Sequence, residues 1–164
     1  MAKREKLQKT NAMRELERAG IAFEVRTYEV DESDLSGVHV AEQLGEDPGQ
    51  GFKTLVTVSP RGGHVVCCIP VAEELDLKRA AAQAGEKSLS MLAVRDLLPV
   101  TGYLRGGCSP VGMKKRFPTI IDESCLMWDR IFISGGRRGI QLVLAPEDLV
   151  AFTGATVAPI TRGA

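Results

Sequence analysis

The sequence predicts a single α+β domain built on an antiparallel-rich sheet or barrel. Helix and strand signals alternate along the chain without a repeat or a low-complexity linker. Two pairs of predicted strands are joined by glycine-rich turns typical of hairpins, and helices interrupt the strands at irregular positions. With 164 residues, 44% of them hydrophobic, the chain can bury one core. We therefore expect one domain over residues 1–164 and no doubly wound parallel fold.

The first half of the chain carries helix caps and strand periodicities. Thr10 can cap a helix that ends at Gly20. Residues 23–28 alternate apolar and polar side chains, as a half-buried strand does. The glycine-rich turn 59–63 separates two β-rich runs and predicts a hairpin. The predicted helices are 11–19, 38–44 after Ser36, 77–84 with Asp76 as its N-cap, and 91–98 with Ser90 as its N-cap and Pro99 after it. The predicted strands are 23–28, 52–58 and 64–69.

The second half adds strands that are separated by turns and by two helices. The turn 135–139 joins two β-rich runs and predicts a second hairpin. Pro146 favours the first turn of a helix that ends near Gly154. The predicted elements are strands 119–122, 130–134, 140–144 and 156–160, a short helix 123–127 and a helix that begins at Pro146.

Charge and hydropathy exclude some functional classes. The chain has 21 Lys plus Arg and 21 Asp plus Glu, so it lacks the overall positive charge typical of nucleic-acid-binding proteins. Any polyanion must bind to local clusters of cations. No apolar run reaches the ~18 residues of a membrane span, and the charged N-terminus lacks the apolar core of a signal peptide. We expect a cytoplasmic protein that does not contact membranes.

The four cysteines indicate reduced, buried thiols. Cys67 and Cys68 lie in an apolar run, and no CxxC spacing occurs. His39 and His64 do not complete a zinc ligand set with paired thiols. Cys108 lies in a glycine-rich segment without a His nearby in sequence to form its thiolate. We expect no metal, no cofactor and no cysteine nucleophile.

Lys53 is the only charged residue of the predicted strand 52–58. Strand alternation places Phe52 and Thr54 on one face and Lys53 with Leu55 on the other. If the Lys53 face lines a cavity, its ammonium is a fixed cation that can hold a phosphate or ester oxygen, or a base if burial lowers its pKa. If that face is exposed to solvent, Lys53 is an ordinary surface residue.

The segment 101–122 combines glycines, a hydroxyl and three consecutive cations. Gly106 and Gly107 can present main-chain N–H groups as an oxyanion hole, because no Cβ stands in the way. Ser109 adds a hydroxyl group, and the run 114–116 adds positive charge. Such a loop suits an anionic or carbonyl ligand, and the alternative is a solvated turn with a charged tip. A P-loop is excluded, because Met113 stands where its Lys belongs.

The second predicted hairpin also ends in a glycine-rich turn, with the sequence SGGRRG at 134–139. Its two guanidinium groups, from Arg137 and Arg138, can bind an anion. The alternative is a plain β-turn with a charged tip.

Five segments of the chain resemble the YbaK/EbsC family of aminoacyl-tRNA deacylases, which edit mischarged tRNA in trans. They are RTYEV at 26–30, GFKTLV at 51–56, ELDLKRAA at 74–81, TGYLRGGCSPVGMKKRFPTIID at 101–122 and ISGGRRG at 133–139. The segments occur in the family's order, and the resemblance extends from Thr10 to about Ile160. It implies a mixed, antiparallel-rich sheet that forms a barrel-like core with flanking helices, similar to the editing insertion domain of bacterial prolyl-tRNA synthetase.

The resemblance also implies site residues. The implied catalytic residues are Lys53, Gly106 and Gly107, and the implied substrate-binding residues are Tyr28, Ser109, Ser134, Gly135 and Gly136. Lys53 would orient the ribose or phosphate end of the substrate, and the glycine amides would receive negative charge that develops on the ester oxygen. Some members have an acidic residue in the strand after the hairpin, where this chain has Gln141.

The implied reaction is cleavage of an aminoacyl ester. The motif GGCSPVG followed by KKR resembles the subgroup that clears cysteine from tRNA(Pro), and a related subgroup clears alanine. In this family the thiol of the cysteine substrate attacks its own ester carbonyl, so the protein mainly positions the ester. The alternatives are an Ala-tRNA(Pro) or broad-specificity deacylase, and a non-catalytic tRNA- or nucleotide-binding module.

We expect tRNA to bind weakly through local cations, with an affinity that depends on salt. The expected tRNA-binding residues are Lys114, Lys115, Arg116, Arg137 and Arg138, with Lys3, Arg4, Lys6 and Lys9 as an outer patch. The expected partners are mischarged tRNA(Pro) and prolyl-tRNA synthetase, and the expected oligomeric state is a monomer.

Overall fold

A computed structural model of the chain describes residues 8–163. The helices are α1 (Asn11–Arg18), α2 (Gly37–Leu44), α3 (Leu77–Ala84), α4 (Val94–Thr101) and α5 (Pro146–Thr153), with a 3₁₀ helix at Glu123–Met127. The strands are β1 (Glu24–Thr27), β2 (Phe52–Val58), β3 (His64–Pro70), β4 (Ser90–Met91), β5 (Thr119–Asp122), β6 (Ile131–Ser134), β7 (Ile140–Leu144) and β8 (Thr156–Ala158). No helix within these residues is long and apolar enough to cross a membrane.

The strands form two sheets. The larger has the order β4-β2-β3-β5-β8, and the smaller has the order β1-β7-β6. All pairings are antiparallel except those of β5, which runs parallel to β3 and β8. The predicted α+β class and antiparallel-rich pairing are confirmed. The described sheets do not close into a barrel, because between β2 and β6 the described residues form only one parallel bridge, from Gly51, just before β2, to Phe132 of β6.

Both predicted hairpins are present. β2 pairs with β3 so that Lys53 lies opposite Ile69. β6 pairs with β7 so that Ser134 lies opposite Gln141. Both pairings could be predicted from the sequence, because a short glycine-rich turn between two β-rich runs indicates a hairpin.

Three of the predicted helix caps are confirmed. The side chains of Thr10 and Ser36 each accept a hydrogen bond from the main-chain amide three residues later, at 3.2 Å. Asp76 does the same at 3.1 Å. Each bond satisfies one of the amides that lack a partner within the first turn of a helix.

The helix predicted at 91–98 is displaced: α4 begins and ends three residues later. Ser90 is not an N-cap, because Ser90 and Met91 form β4 and pair with Val58 and Thr57. Edge pairing with β2 thus replaced the predicted cap. Pro99 lies inside α4 near its end, where the missing N–H of a proline removes one helical hydrogen bond without stopping the last turn.

β3 lies at the centre of the molecule and contributes to two apolar cores. Val66 and Cys68 face the larger core, which includes buried side chains of α1, β6 and β7. Val65, Cys67 and Ile69 face the smaller core, which includes β5 and α3. This division follows the two-residue period of side-chain direction in a strand. The cores fix β2 and the hairpin β6–β7, which together position the candidate site.

Candidate active site

A cleft of about 500 Å³ lies where β2 and β6 separate. At the bridge between these strands, the N–H of Phe132 donates to the carbonyl of Gln50 at 3.1 Å. The carbonyl of Val56 accepts from Leu92 on the side away from β3. Backbone groups alternate along a strand, so the amide and carbonyl of Thr54 face the same side as those of Val56. Main-chain groups of β2 are therefore directed toward the cleft.

The rest of the lining combines aliphatic side chains with a few polar groups, as in most small-molecule sites. The lining includes Tyr28, Asp34, Leu35, Ser36, Val40, Glu46, Lys53, Val71, Leu92, Leu97, Arg105, Gly106, Cys108, Ser134 and Gln141. Four of the predicted site residues are thus brought together at the cleft: Tyr28, Lys53, Gly106 and Ser134.

Lys53 lines the cleft and is partly buried. Burial lowers the pKa of its ammonium, and the negative charges of Glu74 and Glu73 oppose this shift only in part. Within residues 8–163, no carboxylate forms an ion pair with Lys53. Lys53 is therefore a partly desolvated cation at the cleft lining, and it has no ion-pair partner among the described residues.

Tyr28 and Ser134 line the cleft beside the hairpin β6–β7. The amide of Tyr28 donates to the carbonyl of Gly139 at 3.0 Å. The Oγ of Ser134 accepts from the amide of Gly136 at 3.2 Å. Gly135 and Gly136 shape the turn and lie outside the lining of the cleft. The turn of the hairpin thus holds the side chain of Ser134 in place at the cleft, although neither of these glycines lines it.

Gly106 and Gly107 differ in their hydrogen bonding. The amide of Gly107 donates to the carbonyl of Leu104 at 2.9 Å and is already used in a turn. The amide of Gly106 has no hydrogen-bond acceptor among residues 8–163. Gly106 lines the cleft and has a φ of +85°, which favours glycine. Of the predicted pair, Gly106 has the free amide.

Gly107 lets the two glycine-rich segments pack against each other. A Cβ at Gly107 would lie 3.1 Å from both the Cα of Arg137 and the main-chain nitrogen of Arg138. Across the same contact, the Nε of Arg138 donates to the carbonyl of Arg105 at 2.8 Å. A larger residue at 107 would push the hairpin away, so this glycine permits the close approach of two backbones.

Ser109 lies outside the lining of the cleft and is fully buried. Its Oγ accepts from the amide of Val111 at 3.3 Å. Bonds of this kind stabilise a turn. Ser109 therefore stabilises the fold of the glycine-rich segment and does not reach the cleft surface.

Cys108 lines the cleft, but its thiol is poorly suited to act as a nucleophile. Burial raises the pKa of Cys108 to about 12, and a hydrogen bond to Thr101 offsets only part of this shift. The thiolate, not the thiol, is the reactive form. No His lines the 500 Å³ cleft among the described residues, so no imidazole is at hand to deprotonate this group.

The hydroxyl groups of the cleft also lack a strong base. Ser33 donates to Asp31 at 2.6 Å. This hydrogen bond lowers the pKa of Asp31 and makes it a weaker base. Ser36 and Ser134 use Oγ to accept from main-chain amides. Within the described part of the chain, the cleft contains no Ser–His or Cys–His pair.

The predicted tRNA-binding cations are spread around the glycine-rich segments, and none of them forms an ion pair with a described carboxylate. Lys114 donates to the carbonyl of Pro99 at 3.3 Å, and Arg116 donates to that of Phe152 at 2.8 Å. The remaining contacts are those of Lys115 with the Phe117 ring (5.3 Å), Arg137 with the Gln8 carbonyl (3.4 Å) and Arg138 with the Arg105 carbonyl (2.8 Å). Their positive charges are not neutralised by these contacts.

The predicted outer patch falls mostly outside the described residues, since Lys3, Arg4 and Lys6 precede residue 8. Lys9 is described and forms an ion pair with Glu17 at 2.8 Å. Unlike the cations near the cleft, Lys9 therefore already has a carboxylate partner.

A polar network at the cleft was not assigned from the sequence. Arg26, Gln141 and Ser134 lie in one row across β1, β7 and β6. The carboxylate of Glu46, whose side chain is only 3% exposed, accepts from Arg26 Nη1 and from Gln141 Nε2, each at 2.8 Å. Arg26 also packs over the ring of Phe132 at 4.9 Å. Glu46 is 20 residues from Arg26 and 95 from Gln141, so no local pattern could link them.

Comparisons with known proteins agree with this architecture. Residues 36–152 match the model of a family described as the aminoacyl-tRNA editing domain. The chain is 47% identical over 161 residues to a protein of Enterococcus faecalis (strain ATCC 700802 / V583), with 98% of each chain covered. That relative carries the provisional name Cys-tRNA(Pro)/Cys-tRNA(Cys) deacylase EbsC.

Solved structures share the fold. A protein provisionally described as a trans-editing enzyme for prolyl tRNA synthetase is 28% identical, with a TM-score of 0.81 over 93% of this chain and 96% of that one. Hypothetical protein APE2540, at 23% identity, has a TM-score of 0.85 over 93% of this chain and all of that one. The family model, the near-full-length relative and the solved structures all indicate the same family. The chain therefore belongs to the aminoacyl-tRNA editing domain family.

Proposed function

We propose that this protein is a trans-editing enzyme that deacylates mischarged Cys-tRNA(Pro). Membership of the editing family and the 47% identity to a relative named for Cys-tRNA(Pro) and Cys-tRNA(Cys) support the substrate class. The observation that carries the proposal is the pairing of two features of the cleft. Among residues 8–163, the cation Lys53 has no ion-pair partner, and the cleft lining offers no Ser–His or Cys–His pair.

A cleft of this kind suits a substrate that supplies its own nucleophile. The sulfur of the cysteinyl group attacks the ester carbonyl and forms a C–S bond, while the ester C–O bond breaks. The thiol proton goes to the departing ribose oxygen, so that free tRNA and a cyclic thioester of cysteine result, and water then opens the thioester. The protein contributes by holding thiol and ester in reactive geometry and by excluding competing orientations.

The proposed roles follow from the groups that are free at the cleft. The ammonium of Lys53 holds the ribose or phosphate end of the substrate. The amide of Gly106 donates to the oxyanion that develops in the transition state. Tyr28 and Ser134 position the terminal nucleoside beside the hairpin. Gly107 and Ser109 support the segment that carries Gly106, since their own polar groups are engaged within the protein.

The tRNA is proposed to contact the cations around the cleft, led by Arg138, which lies beside Tyr28 and Gly106. Because the chain as a whole has no net charge, this contact is weak and depends on salt. We further propose that the protein acts as a cytoplasmic monomer and that prolyl-tRNA synthetase delivers its substrate.

The test is release of labelled amino acid from Cys-tRNA(Pro), Cys-tRNA(Cys), Ala-tRNA(Pro) and Pro-tRNA(Pro). We expect fast release of cysteine only, and a loss of at least about 10²-fold in kcat/KM for Lys53→Ala, as is typical when a group that positions and stabilises the reacting centre is removed. Lys78→Ala, which removes an exposed lysine of α3, is the matched control and should retain full activity.

Other outcomes would redirect the proposal. Preferential release of alanine would move the specificity while keeping the reaction. Release of every amino acid would indicate a broad deacylase. Binding of tRNA without any release would indicate a non-catalytic module and would overturn the enzymatic role.

A further inference from the structure

Gln141 has a buried side-chain acceptor that no described residue satisfies. Its Oε1 is one of two buried side-chain polar atoms without a hydrogen-bond partner among residues 8–163. The other is Nδ1 of His64, which packs edge-on against Phe117 and does not line the cleft. Gln141 is 8% exposed and lines the cleft. An unpaired buried acceptor at a ligand site is a group that a donor on the ligand can complete.

The orientation of the Gln141 amide is fixed by Glu46. A carboxylate only accepts hydrogen bonds, so the atom that faces Glu46 Oε1 at 2.8 Å must be the nitrogen. Exchange of the two amide atoms would place two oxygens against each other. Arg26 binds the other oxygen of Glu46 and holds the carboxylate in place. The open acceptor is therefore built into the network.

The charges around Gln141 Oε1 favour a cationic donor on the ligand. The acceptor adjoins a carboxylate, and its own oxygen carries partial negative charge. The aminoacyl ester proposed above has one group of matching character, the α-ammonium, which has three N–H donors. The unpaired cation of the cleft, Lys53, would repel an ammonium and suits the ester or phosphate end of the substrate instead. The carboxylate of a free amino acid cannot bind Gln141 Oε1, because both groups only accept hydrogen bonds.

We propose that Gln141 Oε1 accepts a hydrogen bond from the α-ammonium of the aminoacyl group and so sets the position of its ester, an inference that rests on the proposed function. Gln141 thereby selects an aminoacyl ester over a simple acyl ester. Glu46 and Arg26 act through Gln141 as positioning residues, because their contacts hold the amide in its orientation.

The test measures binding to two hydrolysis-stable analogues of the tRNA terminus. In both, an amide replaces the ester on 3′-amino-3′-deoxyadenosine. One carries a cysteinyl group, and the other carries a 3-mercaptopropionyl group that lacks the α-ammonium. Calorimetry should give a Kd about tenfold lower for the cysteinyl analogue with the wild-type protein, the effect of one hydrogen bond to a charged group.

In Gln141→Met, which keeps the length of the side chain but removes the acceptor, we expect this preference to fall to about one. The Kd of the mercaptopropionyl analogue should stay the same, which also shows that the variant is folded. Gln43→Met is the matched control, because the amide of Gln43 is satisfied by both main-chain polar groups of Glu29 outside the cleft, and it should keep the tenfold preference.

A preference that persists in Gln141→Met would overturn the inference, as would equal weakening of both analogues or no preference in the wild type. These outcomes are separate from failure of the proposed function. Binding does not require catalysis, and absence of amino-acid release would remove the enzymatic role while leaving a measured preference for the ammonium in force.

Discussion

The glycine-rich segments differ from strands β2 and β7, which also line the cleft, in how their polar groups are satisfied. In the glycine-rich segments, the amide of Gly107 and the hydroxyls of Ser109 and Ser134 are all hydrogen-bonded within the protein. At β2 and β7, by contrast, the ammonium of Lys53 has no ion-pair partner and Gln141 Oε1 has no donor among residues 8–163. The glycine-rich segments therefore mainly build the cleft, whereas β2 and β7 supply two of its open polar groups.

Gly106 is the exception within the glycine-rich segments, because its amide has no acceptor in the described part of the chain while that of its neighbour is engaged. The two neighbouring glycines therefore have different roles. Gly107 is needed for the close approach of the hairpin, whereas Gly106 is a candidate donor to the substrate. Substitutions at the two positions should fail in different ways.

The largest expected effect is that of Gly106→Pro, which removes the amide hydrogen. We expect kcat to fall about 10²–10³-fold with KM little changed, as for loss of one oxyanion donor. Steady-state deacylation of Cys-tRNA(Pro) measures both constants. Gly106→Ala keeps the N–H and strains the positive φ, and circular dichroism of both variants controls for the larger backbone change in Gly106→Pro, because proline fixes φ at about −65°. A normal kcat with a raised KM in the proline variant would contradict the role of this amide.

Gly107→Ala should instead act on stability. Its Cβ would press on the backbone of Arg137 and Arg138, and overpacking of this kind costs about 1–3 kcal/mol. Urea unfolding should reveal the loss, while the folded fraction keeps a kcat within severalfold of wild type. A loss of kcat as large as that of Gly106→Pro, with stability intact, would return Gly107 to the list of direct donors.

The same contrast explains what the sequence could and could not predict. Caps at Thr10, Ser36 and Asp76 and both hairpins depend on neighbouring residues and were predicted correctly. The sequence predicts a helix where β4 lies, because a serine before an apolar run is a local cap signal. The pairing of Ser90 and Met91 with β2 joins residues far apart in sequence, and no local signal records it. The open barrel likewise depends on how β2 and β6 separate, and no local signal records that.

The candidate site divides along the same line. Lys53 stood out as a lone charge in an apolar strand, and the structure places it at the cleft. The network of Arg26, Glu46 and Gln141 could not be found by spacing, since its members come from β1, the turn after α2 and β7. The roles of these three residues and of the other site residues remain predictions.

A smaller effect is expected for the cations around the cleft. Arg138→Ala should weaken tRNA binding about fivefold at 0.15 M salt and reduce the slope of log Kd against log salt by about 0.7–0.9, the value for one phosphate contact. Lys9→Ala is the matched control, because Lys9 is already paired with Glu17. Fluorescence anisotropy at several salt concentrations measures both. Equal slopes for Arg138→Ala and wild type would exclude a phosphate contact by Arg138.

The effect furthest from the cleft concerns stability at alkaline pH and tests whether the thiols are structural. Burial raises the pKa of Cys67 and Cys108 from 9.0 to about 12 and that of Cys125 to about 11. Above pH 9 the unfolded chain loses thiol protons that the folded chain keeps, so the folded state binds more protons and the free energy of unfolding falls as pH rises toward 12. The lowered pKa of Lys53 acts in the opposite direction, but it is a single, partly exposed group.

Thermal unfolding between pH 8 and pH 11 should therefore show a Tm that declines above pH 9. In Cys67→Ala the decline should be shallower, although the Tm at pH 8 is lower because the variant leaves a small cavity. Cys67 lies in the smaller core and not at the cleft, so deacylation at pH 8 should be unchanged. An equally steep decline in the variant would mean that Cys67 ionises alike in both states, and a loss of activity would place this thiol in the chemistry from which its burial should exclude it.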